Sequence, residues 1–243
     1  MRKALLCAFS YTRFPRHSFI EQFIKADIKR MVSLYTVVFG VEDIIVITDM
    51  DIHSKNYEVI TLTTYDDFIL NVQDFFKSLR SQDIGFFYYS GHGEKIKRAI
   101  YGTDGVALCI PAGRQIKSFH DKTLIKMISK LRNDNMILLT FDCCYAGNIL
   151  KLKYINDKES TNYIKVKPKV LSLSSSDRLQ VSRFSLSGSL FTHYFQRCAL
   201  EFSRSSPVYS CVNRHIIERD QNMTVSSSDR NLGLTSFMRG EQS

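Results

Sequence analysis

Asn135-Met-Ile-Leu-Leu-Thr-Phe-Asp-Cys-Cys-Tyr-Ala-Gly147 decides how this chain reads. Its apolar run from Met136 to Phe141 stops abruptly at an acid and two adjacent cysteines, with a glycine shortly after. A short apolar run bounded by polar and turn residues suits a strand buried on both faces, as in a parallel sheet. The carboxyl end of such a strand is where open α/β sheets place their ligand sites. Alternation along the strand predicts Asp142 and Cys144 on one face and Cys143 on the other. A thiol and a carboxylate would then look into one crevice.

Working outward, Lys3 to Phe9, Glu42 to Thr48, Ile84 to Tyr89 and Val170 to Leu173 read as further buried strands, with one more near Met223 to Ser226. Apolar residues at helical spacing predict helices over Ser18 to Val38, Tyr65 to Leu79, Asp121 to Leu131 and Leu190 to Phe202. Ser18 with Glu21 has the spacing of a capping box, and Gly40 is a stop signal. Two short alternating runs around Gly102 and Gly105, within Lys95 to Ile110, predict a hairpin. Strands alternating with helices imply right-handed crossovers and a mostly parallel central sheet with helices on both faces. The chain reads as one α/β domain, 1–243, with an exposed lysine-rich loop over 151–169.

The 243 residues are 44% hydrophobic, enough for a sizeable core. Six cysteines in a sequence that shows no secretory signal argue for reduced thiols, and the lack of Cys-x-x-Cys spacing argues against structural zinc. The apolar run Ala4 to Phe9 is too short for a secretory signal, and no apolar stretch approaches a membrane span. The expectation is a cytoplasmic protein, monomeric and without membrane contact. The net charge of +9 raises nucleic acid as a partner. No nucleic-acid-binding motif accompanies it, so solvated Lys and Arg are the simpler account, and no specific nucleic acid is expected.

A thiol is mostly protonated near neutral pH, so a catalytic cysteine needs a partner, most often histidine. Of six histidines, His92 alone ends a predicted core strand, between Gly91 and Gly93. Strand ends of one parallel sheet open on the same edge, so His92 and Cys144 can face each other. His17, His53, His120, His193 and His215 read as structural or exposed.

Phe86-Phe-Tyr-Tyr-Ser-Gly-His-Gly93 and Phe141-Asp-Cys-Cys-Tyr-Ala-Gly147 resemble the histidine and cysteine motifs of metacaspases, in the caspase-like cysteine peptidase clan. Ala4-Leu5-Leu6 with Tyr11, Ala26 to Met31, Ser174 to Gln180 and Gly188 to Thr192 resemble further blocks of that family, in order. The resemblance implies a caspase-like three-layer sandwich and peptide hydrolysis through a thioester acyl-enzyme. It implies Cys144 as nucleophile, His92 as general acid/base, and the backbone N–H groups of Gly93 and Cys144 as oxyanion hole. Asp142 and Asp27, bordered by Ser90, would line a pocket for Arg or Lys before the scissile bond, so the partners are protein or peptide substrates with basic residues.

Departures and alternatives stand beside this. The family's usual Cys-His-Ser-Gly is Cys144-Tyr145-Ala146-Gly147 here. The family cysteine before the helix aspartate is Ile24. Of the aspartates carried by calcium-activated members only Asp104 is recognisable, with Lys151 where a carboxylate is expected, so no cofactor and no calcium dependence is expected. Cys143, Cys7, Cys109, Cys198 and Cys211 read as packing residues. Asp142 could instead cap a turn, and Asp27 could be a solvated helix acid. The loop 151–169 is either a self-cleavage site or a solvated loop. The other reading of the whole chain is a catalytically silent caspase-fold scaffold or decoy.

Overall fold

Five apolar runs become neighbouring parallel strands. The computed structural model describes residues 1–96, 105–185, 188–202 and 205–238. In chain order these form β1 (Arg2–Ala8), α1 (Glu21–Val37), β2 (Asp43–Thr48), β3 (Glu58–Thr61), α2 (Tyr65–Ser78), β4 (Ile84–Ser90), β5 (Gly93–Ile96), β6 (Gly105–Ala112) and β7 (Gln115–His120). There follow α3 (Asp121–Ile128), β8 (Met136–Asp142), β9 (Tyr154–Ile155), β10 (Lys158–Glu159), β11 (Lys169–Ser174), β12 (Phe184–Ser185), β13 (Gly188–Ser189), α4 (Leu190–Glu201), α5 (Ser205–Ile216) and β14 (Thr224–Ser227).

The main sheet runs β10-β9-β14-β11-β8-β4-β1-β2-β3, and its members from β11 to β3 pair in parallel. Its central strands β11, β8, β4, β1 and β2 are largely buried on both sides, which is why they read as continuous apolar runs. Residues of one parity, Leu5, Cys7, Phe87, Tyr89, Leu139, Phe141 and Cys143, pack with α2 and α3. Those of the other parity, Ala4, Leu6, Phe86, Tyr88 and Leu138, pack with α1, α4 and α5. Each fully buried Phe or Leu stabilises by roughly 2 kcal/mol. The result is the expected three-layer α/β sandwich. At the amino end of β8 the buried Asn135 donates to the Asp83 carbonyl at 3.2 Å and accepts from the Arg132 N–H at 3.1 Å, tying β8 to β4.

Four expectations need correction. The first helix starts at Glu21, with Ile20 as N-cap and no side-chain cap, so the Ser18–Glu21 capping box does not form. Ser18 Oγ donates to the Pro15 carbonyl instead, and the Phe19 N–H is tied to the Ser10 carbonyl at 2.7 Å, which keeps Ser18 to Ile20 out of the helix. Cys198 and Cys211 are joined in a disulfide, contrary to the expectation of reduced thiols; the packing of α4 against α5 brings their Cα atoms to 6.0 Å. The lysine-rich 151–169 is not wholly an exposed loop: β9 and β10 form a hairpin that pairs with β14, and Leu152 is buried. The hairpin after His92 gains a third strand, β7, and makes a separate antiparallel sheet β5-β6-β7. Its turn, with Gly102 and Asp104, lies outside the described residues. The edge strand β3 and the helix α5 were not anticipated.

Candidate active site

The registers of the parallel sheet decide where the candidate residues meet. Ser90 of β4 lies opposite Asp142 of β8, and Ala8 of β1 opposite Ser90. His92 is two residues past Ser90 and Cys144 two past Asp142, so both leave neighbouring strands at the same level. The contact is close: a Cβ on Gly93 would sit 2.3 Å from the Cys144 carbonyl oxygen and 3.1 Å from Cys143 Sγ. Only glycine admits that approach. The predicted split of faces holds for Asp142, which turns toward α4, and for Cys143, which is buried on the α2–α3 side. Cys144 lies beyond the end of the strand, so the following turn, not strand alternation, sets its place and leaves it half-buried.

Serines at and just past the end of β11 hold that turn. Ser176 Oγ donates to the Cys143 carbonyl at 2.9 Å, and Ser174 Oγ to the Ala146 carbonyl at 2.9 Å. The Tyr145 N–H donates to the Gln180 carbonyl at 2.9 Å, and Tyr145 adopts a left-handed φ of 63°. Lys95 Nζ lies over the Tyr145 ring at 4.6 Å, a cation–π contact that covers the residue standing in for the family's usual histidine.

His92 Nε2 lies 2.6 Å from the His17 carbonyl oxygen. A carbonyl only accepts, so Nε2 carries the proton and the Nδ1 lone pair is left to act as base. The ring is stacked on Phe19, with centroids 4.5 Å apart, and tilted against Tyr11 at 4.6 Å. Burial under these rings lowers the His92 pKa, only partly offset by the His17 carbonyl. Burial likewise raises the Cys144 thiol, offset in part by the Ser182 backbone. Both shifts favour the neutral forms, imidazole and thiol.

The Cys109 N–H donates to the His92 carbonyl at 2.9 Å, while the His92 N–H is taken by the Tyr11 hydroxyl at 2.9 Å. Gly93, the first residue of β5, lies opposite Leu108 of β6.

Asp142 and Asp27 are both fully buried. Asp142 accepts from Ser182 Oγ at 2.8 Å and from Thr192 Oγ1 at 2.6 Å, and the Thr192 hydroxyl is 2.8 Å from that of Tyr88. Asp27 accepts from Arg30 Nη1 at 3.0 Å and from the Ser189 N–H at 2.9 Å. Burial and then the like charge of Asp142 push Asp27 up to about 8, and burial raises Asp142 as well. The solvated-acid alternative for Asp27 is thus excluded. Ser90 Oγ, beside Asp142, is buried without a hydrogen-bond partner among the described residues. His53 is exposed and His120 lies on the surface of β7, both apart from this cluster.

The sequence signalled His92, Cys144, Asp27, Asp142 and Ser90; the structure sets Ser90 and Asp142 at the carboxyl ends of β4 and β8, His92 and Cys144 just beyond them, and Asp27 on α1 within reach of the Asp142 charge. It did not signal Ser182, Thr192, Arg30, Phe19 or the His17 carbonyl as parts of the site. Among the described residues, no group of three His, Cys, Asp or Glu is placed to hold a metal, and no helix is long and apolar enough to cross a membrane.

A family model described as the metacaspase, peptidase C14 domain matches residues 2–153. Among solved structures, a structural-genomics target protein of Geobacter sulfurreducens superposes with a TM-score of 0.64 at 17% identity, covering 99% of this chain and 97% of its own. Caspase-1 from Spodoptera frugiperda superposes with a TM-score of 0.61 at 10% identity, covering 93% and 85%. At these identities the likeness shows the fold alone. No curated protein matches in sequence.

Proposed function

The chain belongs to the metacaspase, peptidase C14 family, and from that premise we propose that it is a cysteine endopeptidase cleaving after Arg or Lys with a His92–Cys144 dyad. The observation that carries the reading is the register that sets Ser90 against Asp142, with His92 and Cys144 each two residues further on. His92 Nδ1 takes the Cys144 proton as Sγ attacks the carbonyl carbon before the scissile bond. The oxyanion that forms lies toward the N–H groups of Gly93 and Cys144, where preorganised donors lower the barrier. His92 then gives its proton to the leaving amine, and water hydrolyses the thioester with His92 again as base.

Asp142 and Asp27 are the acids offered to a basic side chain. A buried carboxylate pair repels itself, and an entering guanidinium or ammonium would offset that repulsion. One observation favours the scaffold reading: both acids already have partners within the chain, including the Arg30 guanidinium. The test separates the two. Peptides with Arg, Lys or Asp before the bond are offered to the wild type, Cys144→Ala and Cys143→Ala. We expect cleavage after Arg and Lys, a loss of at least about 10⁴-fold in kcat for Cys144→Ala, and near-normal turnover for Cys143→Ala. Preference for Asp would sink the pocket assignment, and no turnover of any peptide would favour the scaffold.

A further inference from the structure

Asp49 follows β2, on the far side of β1 from His92, and the reaction described above makes no use of it. Its two carboxylate oxygens accept from consecutive backbone N–H groups, Ser10 at 2.7 Å and Tyr11 at 2.6 Å, and Ser10 Oγ adds a contact at 3.3 Å. Neighbouring N–H groups converge on one carboxylate only where the chain turns, and Tyr11 makes that turn with a φ of 58°. The turn returns the fully buried Tyr11 ring toward the end of β4. There its hydroxyl accepts from the His92 N–H at 2.9 Å and donates to the Cys109 carbonyl. The Tyr89 hydroxyl, 3.1 Å away, lies 2.8 Å from both the His92 and the Cys109 carbonyl oxygens. Two phenols thus hold both polar groups of the His92 backbone. Gly91 makes room for them, since a Cβ there would sit 2.5 Å from the Tyr11 hydroxyl.

We propose that Asp49 and Tyr11 are positioning residues: Asp49 fixes the left-handed turn at Tyr11, and the Tyr11 hydroxyl fixes the Gly91–His92 backbone that aims the imidazole at Cys144. Neither touches substrate. The inference rests on His92 being the base of the site, so its test needs a readout independent of peptide turnover. Alkylation of Cys144 by iodoacetamide, followed by mass spectrometry of the full chain, reads only the thiol and its base.

The variants are His92→Ala, Tyr11→Phe, Asp49→Asn and Tyr11→Phe with Asp49→Asn. Tyr11→Phe keeps the ring on His92 and removes one hydroxyl, so it stays informative even if Asp49→Asn fails to fold. We expect both single variants to slow alkylation about tenfold or more, and to lower kcat roughly 10²-fold with KM unchanged, the cost of misplacing a catalytic group by about an ångström. Because both act through one turn, the double variant should be no slower than the worse single one. A purely structural role would lower the melting temperature while leaving alkylation and kcat in place, and that result overturns the proposal. So does a double variant whose losses multiply. If His92→Ala leaves alkylation unchanged, the dyad itself falls and this inference with it; if only His92→Ala slows it, the relay alone is wrong.

Discussion

The surroundings of His92 are built from rings and main chain, those of Asp142 from hydroxyls. His92 lies between Phe19 and Tyr11 and bonds one backbone carbonyl. Asp142 lies among Ser182 and Thr192, with Asp27 held by Arg30 and the Ser189 N–H. The first region falls within residues 2–153, which the family model matches, while the hydroxyls come from residues beyond it. The difference suits the roles proposed for the two regions. A general base needs a raised fraction of neutral imidazole, which apolar rings supply by excluding water. A buried acid needs donors that satisfy it without cancelling its charge, which hydroxyls do and a second cation would not.

The sharpest way to break this contrast is to damage one region and read the other. Asp142→Asn keeps the shape and removes the charge, and should lower kcat/KM for peptides with Arg before the bond by roughly 10³-fold. Alkylation of Cys144 in the same variant should stay within about twofold of wild type. If the alkylation rate collapses too, the two regions are one unit and the division above is wrong.

The same contrast explains what could be read from sequence. His92 and Cys144 were legible because parallel strands announce themselves as apolar runs and their carboxyl ends share an edge. Flanking glycines pointed to close backbone approach, and Gly93 against the Cys144 carbonyl is that approach. The hydroxyl shell was not legible, because Ser182, Ser189 and Thr192 reach Asp142 and Asp27 only through the tertiary fold, 40 to 162 residues away in sequence. The helix α5 carries Val208, Val212 and Ile216 at four-residue spacing, all buried, but Pro207 and several poor helix formers hid it. The Ser18–Glu21 box had the right spacing and lost to a tertiary contact, Phe19 stacked on His92. The disulfide was missed because composition spoke only for the compartment, whereas helix packing brought Cys198 to Cys211.

Glycine substitutions sharpen the comparison next. Gly93→Ala drives a Cβ into the Cys144 main chain at 2.3 Å, and main chain cannot rotate away. We expect a loss of about 2–3 kcal/mol in chemical denaturation, with alkylation of Cys144 impaired. Gly188→Ala places its Cβ 2.5 Å from Asp27 Oδ1 and also strains a φ of 113°. It should cost about 1–3 kcal/mol and reduce cleavage after Arg while sparing alkylation. Equal effects of both on alkylation would contradict the separation of the regions.

A weaker effect is expected from pH on the acid side. Asp27, held up to about 8 by burial and by Asp142, keeps a proton in the folded chain that the unfolded chain loses near pH 4. Native protein therefore binds more protons across that window, and stability contributed at Asp27 falls as pH rises toward 8. Affinity for a basic side chain runs the other way, since only the carboxylate attracts it. The ratio of kcat/KM for Arg against a neutral residue should climb severalfold between pH 6 and about 8, and Asp27→Asn should flatten it.

The smallest effect lies on the histidine side and has the opposite sense. Burial lowers the His92 pKa, and the first cause is the rings that cover it. The unfolded chain then takes up a proton before the folded one as pH falls below the ordinary 6.5, so stability contributed at His92 is lost on acidification. Catalysis needs the neutral ring, so the acid limb of kcat/KM reports the same group in the free enzyme and should lie below 6.5. Phe19→Ala opens one face of the ring to water while leaving the His17 carbonyl in place. It should move the acid limb upward toward 6.5, by less than about one pH unit, with the plateau rate changed little. A limb that stays put would mean the stack on Phe19 does not set the base, and a limb that moves further down would mean that the ring had been supporting the imidazolium.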